Sequence, residues 1–228
     1  IFNHIPKTAG STFNHAVLGT NKGGGHLVGP GGLASAPHLD FDSTRFLGGH
    51  ITYPDAARSG LDSGNVHVSI LRNPLERIVS NFEMAYRDNR VLREEVCSID
   101  KWGFGFRVFY ERFIVDAGLV NIQCKYFSTN AKFYDSVVSI DKNFHLVGSV
   151  GKFDDFVAAA LPYLDQENIV RPKLFPIKNK SSHGEDYASL IDRNLIERIE
   201  NQNTEDFNLW NWVNTRHDGL YLKSGGAS

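Results

Sequence analysis

Cysteine is scarce. Among 228 residues only Cys97 and Cys124 occur, too few for a disulfide framework or a cysteine-built zinc site. Two buried thiols or a single disulfide are the readings left. No apolar run approaches the ~18 residues of a membrane span, and no targeting leader is visible. That second absence carries no weight, because the chain opens on Ile1-Phe2-Asn3-His4-Ile5 and its one methionine is Met84. We expect a native start ahead of Ile1. Charge of one sign is lacking as well. Lys and Arg number 24 against 26 Asp and Glu, a formal net charge of −2. Nothing global therefore points to nucleic acid or a membrane surface as partner, although a local basic site stays open. What the chain does hold is apolar and aromatic: 41% hydrophobic residues, with 16 phenylalanines. That composition excludes a disordered chain and can fill one sizeable core.

The order of elements reads as α/β. Residues 1–5 form a short buried strand, broken by Pro6. Residues 11–18 read as a helix capped by Ser11 or Thr12. Residues 19–37 hold seven glycines in nineteen positions, a density that predicts a long mobile loop without packed elements. A second strand falls within 44–53. Residues 65–71, NVHVSIL, form the strongest strand of the chain. The helix after it starts at Pro74 with Asn73 as cap. Residues 101–134 look helical and aromatic, 144–150 extended and 152–164 helical. Residues 173–182 are irregular and basic. Leu190, Ile191, Leu195, Ile196 and Ile199 give 186–214 a helical period. The tail over 223–228 reads as flexible. Strands alternating with helices imply a mainly parallel sheet in a single domain spanning 1–228.

Two segments carry chemistry. The first is Pro6-Lys7-Thr8-Ala9-Gly10-Ser11-Thr12, between a strand and a helix. Small residues there turn backbone N–H groups inward, and Lys7, Ser11 and Thr12 add donors, which makes an anion cradle. It is not a Walker A loop, where lysine immediately precedes the Ser/Thr. The second is Leu71-Arg72-Asn73-Pro74-Leu75-Glu76-Arg77-Ile78-Val79-Ser80. Arg72 stands at the carboxyl end of a strand, where open α/β sheets bind ligands. Its guanidinium fork suits a phosphate. Ser80 lies two helical turns further on. Read alone, each segment also fits a plain strand–turn–helix with an exposed Lys7, or Arg72 pairing with an acidic neighbour.

Together they carry a resemblance. HIPKTAGST resembles the 5′-phosphosulfate loop of sulfotransferases, and LRNPLERIVSNF their 3′-phosphate segment. The IPK form is similar to the carbohydrate branch that includes heparan sulfate 2-O- and 6-O-sulfotransferases. GGHITY at 48–53, HLVGSVGKFDDF at 145–156 and LIERIENQNTEDFNLW at 195–210 extend the likeness. It implies a P-loop-like three-layer fold, with a central mainly parallel sheet flanked by helices. It also implies 3′-phosphoadenosine 5′-phosphosulfate as donor, 3′-phosphoadenosine 5′-phosphate as product, and no required metal. By similarity Lys7, Thr8, Ala9, Gly10, Ser11 and Thr12 surround the phosphosulfate, and Arg72 and Ser80 hold the 3′-phosphate. Lys180 and Ser181 belong to a loop, Lys178–Ser182, that closes on the nucleotide. The acceptor implied is a hydroxyl, on a carbohydrate. Such enzymes are Golgi-lumenal in animals and cytoplasmic if bacterial.

In-line sulfuryl transfer builds charge on the leaving phosphate oxygen, which Lys7 is placed to stabilise. The incoming hydroxyl needs a base. His50, after two glycines at a strand end, is similar to the catalytic histidine segment of the 2-O-sulfotransferase group and titrates in the useful range. Asp40 or Asp42 is the competing carboxylate. His26 and His38 flank the glycine-rich stretch, within reach of an acceptor. Two other classes stay open: a P-loop nucleotide or small-molecule kinase, disfavoured by the position of Lys7, and a non-catalytic nucleotide- or glycan-binding module.

Overall fold

The computed structural model describes the chain except residues 15–24, 30, 31, 36–38, 41–43, 45, 91, 99, 164–186 and 224–228. Strands β1 (Phe2–Asn3), β2 (Gly25–Val28), β3 (Phe46–Gly49), β4 (His67–Leu71), β5 (Phe144–Ser149) and β6 (Leu220–Leu222) form one sheet ordered β2-β3-β1-β4-β5-β6. Every pairing is parallel except that of β6 with β5. Around the sheet lie α1 (helical over residues 10–14), α2 (Tyr53–Arg58), α3 (Pro74–Asp88), α4 (Phe106–Phe109), α5 (Ile122–Lys125), α6 (Phe133–Asn143), α7 (Phe153–Ala160), α8 (Tyr187–Leu190), α9 (Arg193–Gln202) and α10 (Thr204–Arg216). The α/β reading with a mainly parallel central sheet holds. None of the described helices is long and apolar enough to cross a membrane.

The pleat sends alternate residues to opposite faces, and each face is covered. Phe2, Phe46, Val68, Ile70 and Leu146 pack against Phe13 of α1 and Phe153 and Phe156 of α7. On the other face Ile5, Leu71, Phe144 and Val147 meet Cys124 of α5, Ile140 of α6 and Leu209 of α10. Burying a phenylalanine as fully as Phe2, Phe13 or Phe156 stabilises the fold by about 2–3 kcal/mol. A third cluster joins Ile78, Val79 and Phe82 of α3 to Phe106 and Phe109 of α4 and to Leu195 and Ile199 of α9. Cys97 and Cys124 are both buried and free, and they sit in different clusters. The two-thiol reading is the correct one.

The structure departs from, or refines, several expectations. The glycine-rich stretch holds a strand, β2, and a 3-10 turn over Gly32–Ser35. β2 is an edge strand, where one neighbour suffices, and only Val28 of its four residues is buried. Glycine weakens such an edge without forbidding it. The first helix begins at residue 10, so Ser11 and Thr12 lie inside its first turn. Ala9 precedes it, and the Ala9 carbonyl accepts the N–H groups of Thr12 and Phe13 at 3.0 and 3.2 Å. The helical period expected over 186–214 is divided among three helices, α8, α9 and α10. Asp192 caps α9 by accepting the Asn194 N–H, and the buried Asn203 parts α9 from α10. The apolar period runs on through the Asn203 break. Finally, β6 was not anticipated; it lies just before the tail. Asn73 caps α3 as expected, accepting the Glu76 N–H at 3.2 Å with Pro74 in the first turn.

Candidate functional site

β1 pairs with β3 on one side and β4 on the other. From β1 the chain moves outward to β2 and β3, then returns across β1 to β4. The connections leaving β1 and β4 thus diverge, which opens a crevice at their carboxyl ends. Three predicted site residues stand along that edge. The loop after Asn3 carries Lys7, Gly49 leads into His50, and Leu71 leads into Arg72.

In the first loop Lys7 and Ala9 take left-handed conformations, with φ of 70° and 60°. They bracket Thr8, an alternation that turns successive N–H groups to one side of the chain. The Thr8 hydroxyl donates to the Ile5 carbonyl at 2.8 Å, so it braces the turn and faces inward. Thr12 is buried as well, whereas Ser11 is exposed. Gly10 is required by packing: a Cβ there would overlap the His4 imidazole.

Arg72 joins the two motifs. Its Nη1 donates to the Lys7 carbonyl at 3.4 Å, and its Nε to Glu76 at 3.2 Å. Lys7 Nζ reaches the Met84 sulfur at 3.5 Å. Glu76, Ser80 and Met84 are spaced four apart on α3, so they share one face. Ser80 therefore lies midway between the anchor of Arg72 and that of Lys7. Burial, then the nearby cations Arg87 and Arg72, push the Lys7 ammonium below its usual range, with Asp88 opposing. Like charges gathered this closely favour an anion between them.

His50 lies on the other side of β1. Its N–H donates to the Val28 carbonyl at 3.1 Å. Gly49 has φ of 143°, and a Cβ there would overlap the Val28 backbone. The imidazole is half-buried, and burial lowers its pKa. The Tyr126 hydroxyl lies 3.4 Å from His50 Nδ1, and the His4 ring 4.9 Å from the His50 ring, centroid to centroid. Burial, with His50 and Lys7 nearby, lowers the His4 pKa to about 3. His4 is thus a packed, neutral neighbour of the site. Asp40 is exposed, and His26 lies exposed on β2. Asp42, His38, Lys180 and Ser181 lie outside the described residues.

A buried polar layer beneath the edge escaped the sequence reading. Gln123 is fully buried and bonds both backbone groups of Arg72. Its own N–H and that of Cys124 donate to Asp206 at 3.0 and 2.8 Å. Burial raises the Asp206 pKa, and the buried Arg77 is the first influence opposing that rise. Asp206 lies in the segment NTEDFNLW, where by sequence it is one polar residue of a helix rich in them, and only the structure shows it buried. Nothing in the local sequence distinguishes Gln123. No family model matches this chain, and no curated protein is significantly similar to it.

Proposed function

We propose that this chain is a sulfotransferase of P-loop-like type. It moves a sulfuryl group from 3′-phosphoadenosine 5′-phosphosulfate to an acceptor hydroxyl, on a carbohydrate. One observation carries the reading: Arg72 bonds the Lys7 loop, bringing two anion-suited motifs together at the crevice between β1 and β4. Lys7 and the turned backbone of 7–11 serve the 5′-phosphosulfate. Arg72 and Ser80 serve the 3′-phosphate.

In the reaction the bond from sulfur to the phosphate oxygen breaks as sulfur bonds to the acceptor oxygen. Negative charge grows on the leaving oxygen, where a fixed cation lowers the barrier more than it stabilises the ground state. Lys7 leaves Met84 to meet it. A thioether is a weak acceptor, so little is lost in that move. His50 takes the acceptor proton. With its own proton on Nδ1, donated to the Tyr126 oxygen, Nε2 keeps the lone pair for this task. Its lowered pKa keeps the ring neutral near pH 7.

Calorimetric titration with 3′-phosphoadenosine 5′-phosphate tests the reading. The wild type should bind in the micromolar range. Lys7→Ala and Arg72→Ala should each weaken binding by roughly tenfold or more, the worth of a charge-assisted hydrogen bond. A folded wild type that binds no bisphosphate would refute it.

A further inference from the structure

Arg72 is the first residue beyond the β4 ladder, whose last pair with β5 is Leu71 and Ser149. A backbone leaving a sheet edge has lost its ladder partners. Here they are replaced by one side chain. Gln123 Oε1 accepts the Arg72 N–H at 2.9 Å, and Gln123 Nε2 donates to the Arg72 carbonyl at 2.9 Å. The amide thus imitates a ladder pair. The clamp is itself held. Asp206 accepts the N–H groups of Gln123 and Cys124, and the Asp206 N–H donates to Asn121 Oδ1 at 3.2 Å. Gln123 and Asp206 are both fully buried, so neither meets ligand.

We propose that Gln123 is the positioning residue for Arg72. It fixes the backbone from which the guanidinium projects toward the Lys7 loop, and so sets how strongly the site prefers a ligand with a second phosphate. The inference rests on the proposed function. An arginine side chain has many rotamers, and its entropy must be lost on binding. With its backbone already held, only those rotamers, and not the backbone as well, are ordered on binding.

The test compares two probes, adenosine 3′,5′-bisphosphate and adenosine 5′-monophosphate, titrated into the same protein at fixed ionic strength. Wild type should prefer the bisphosphate by roughly a hundredfold, as two charge-assisted contacts allow. Gln123→Met, similar in volume but without either bond, should lose about tenfold of that preference and bind the monophosphate as wild type does. In an Arg72→Ala background the same change should have no further effect on the preference. If Gln123→Met does not fold, Gln123→Glu is measured instead. It keeps the acceptor for the Arg72 N–H and loses the donor to the carbonyl, and it should also reduce the preference. An unchanged preference, or equal weakening of both probes, overturns the positioning role. A wild type that binds neither probe overturns the proposed function itself, and it is measured first.

Discussion

Arg72 and His50 occupy equivalent places. Each is the first residue past a parallel strand that flanks β1, yet they are held in different ways. Both backbone groups of Arg72 are bonded by a fully buried amide, which a buried carboxylate holds in turn. The backbone of His50 has the Val28 carbonyl, and its ring has a single hydroxyl at 3.4 Å. That longer contact is weak by the geometry of hydrogen bonds. On the proposed function the difference suits the two tasks. A nucleotide phosphate is the same in every turnover and rewards a rigid receiver. An acceptor hydroxyl must approach and leave, so its base benefits from a small range of adjustment.

The sharpest way to break this contrast is to remove the support under Arg72. Asp206→Ala takes the acceptor from the N–H groups of Gln123 and Cys124 and removes a negative charge whose field the buried Arg77 feels. Leaving buried N–H groups without an acceptor should cost about 1–3 kcal/mol of stability each, read by urea denaturation. A cost under about 1 kcal/mol would mean that the Arg72 side is no better braced than the His50 side.

Removing the imidazole proposed as base tests the other half. His50→Ala should lower kcat by roughly 10²–10⁴-fold, with bisphosphate affinity measured by calorimetry little changed. The wild-type pH profile bears on the same residue. Burial lowers the His50 pKa below 6.5, and only the neutral ring accepts a proton. Activity should therefore fall to half only at a pH below 6.5. A half-point above pH 7 would point to a different group.

The smallest effect belongs to Tyr126→Phe. The loss of one long hydrogen bond should reduce kcat by about tenfold or less, leaving bisphosphate binding intact. A drop as large as that of His50→Ala would show the ring to be held as tightly as Arg72.

Much of this architecture was legible because it is local. NVHVSIL declares β4 through its β-branched and apolar residues, and Asn73-Pro74 declares the start of α3. The PKTAGST loop and Arg72 are readable by residue type and position. Other features depend on distant partners. β2 exists because β3 offers it a ladder, which overrides the poor propensity of glycine. Gln123 matters only because the fold brings α5 behind Arg72, 51 positions away in sequence. Asn203 ends α9 through bonds to Ile199 and Tyr110, none of which a hydrophobic period reveals.

β1 has a consequence for how the molecule comes together. This central strand has two residues, and its ladder partners lie far along the chain: Phe2 opposes Gly48 on one side and Val68 on the other. Contacts of such separation carry a high loop-closure cost and form slowly. During synthesis β1 is made before either partner; one of its sides stays unpaired until β3 follows and the other until β4 does. The Lys7 loop and Arg72 therefore come into register in the same event that closes the middle of the sheet. A chain in which β1 and β4 have not paired does not bring Arg72 to the Lys7 loop, and on the proposed function affinity for a nucleotide with two phosphates is a property of the completed sheet.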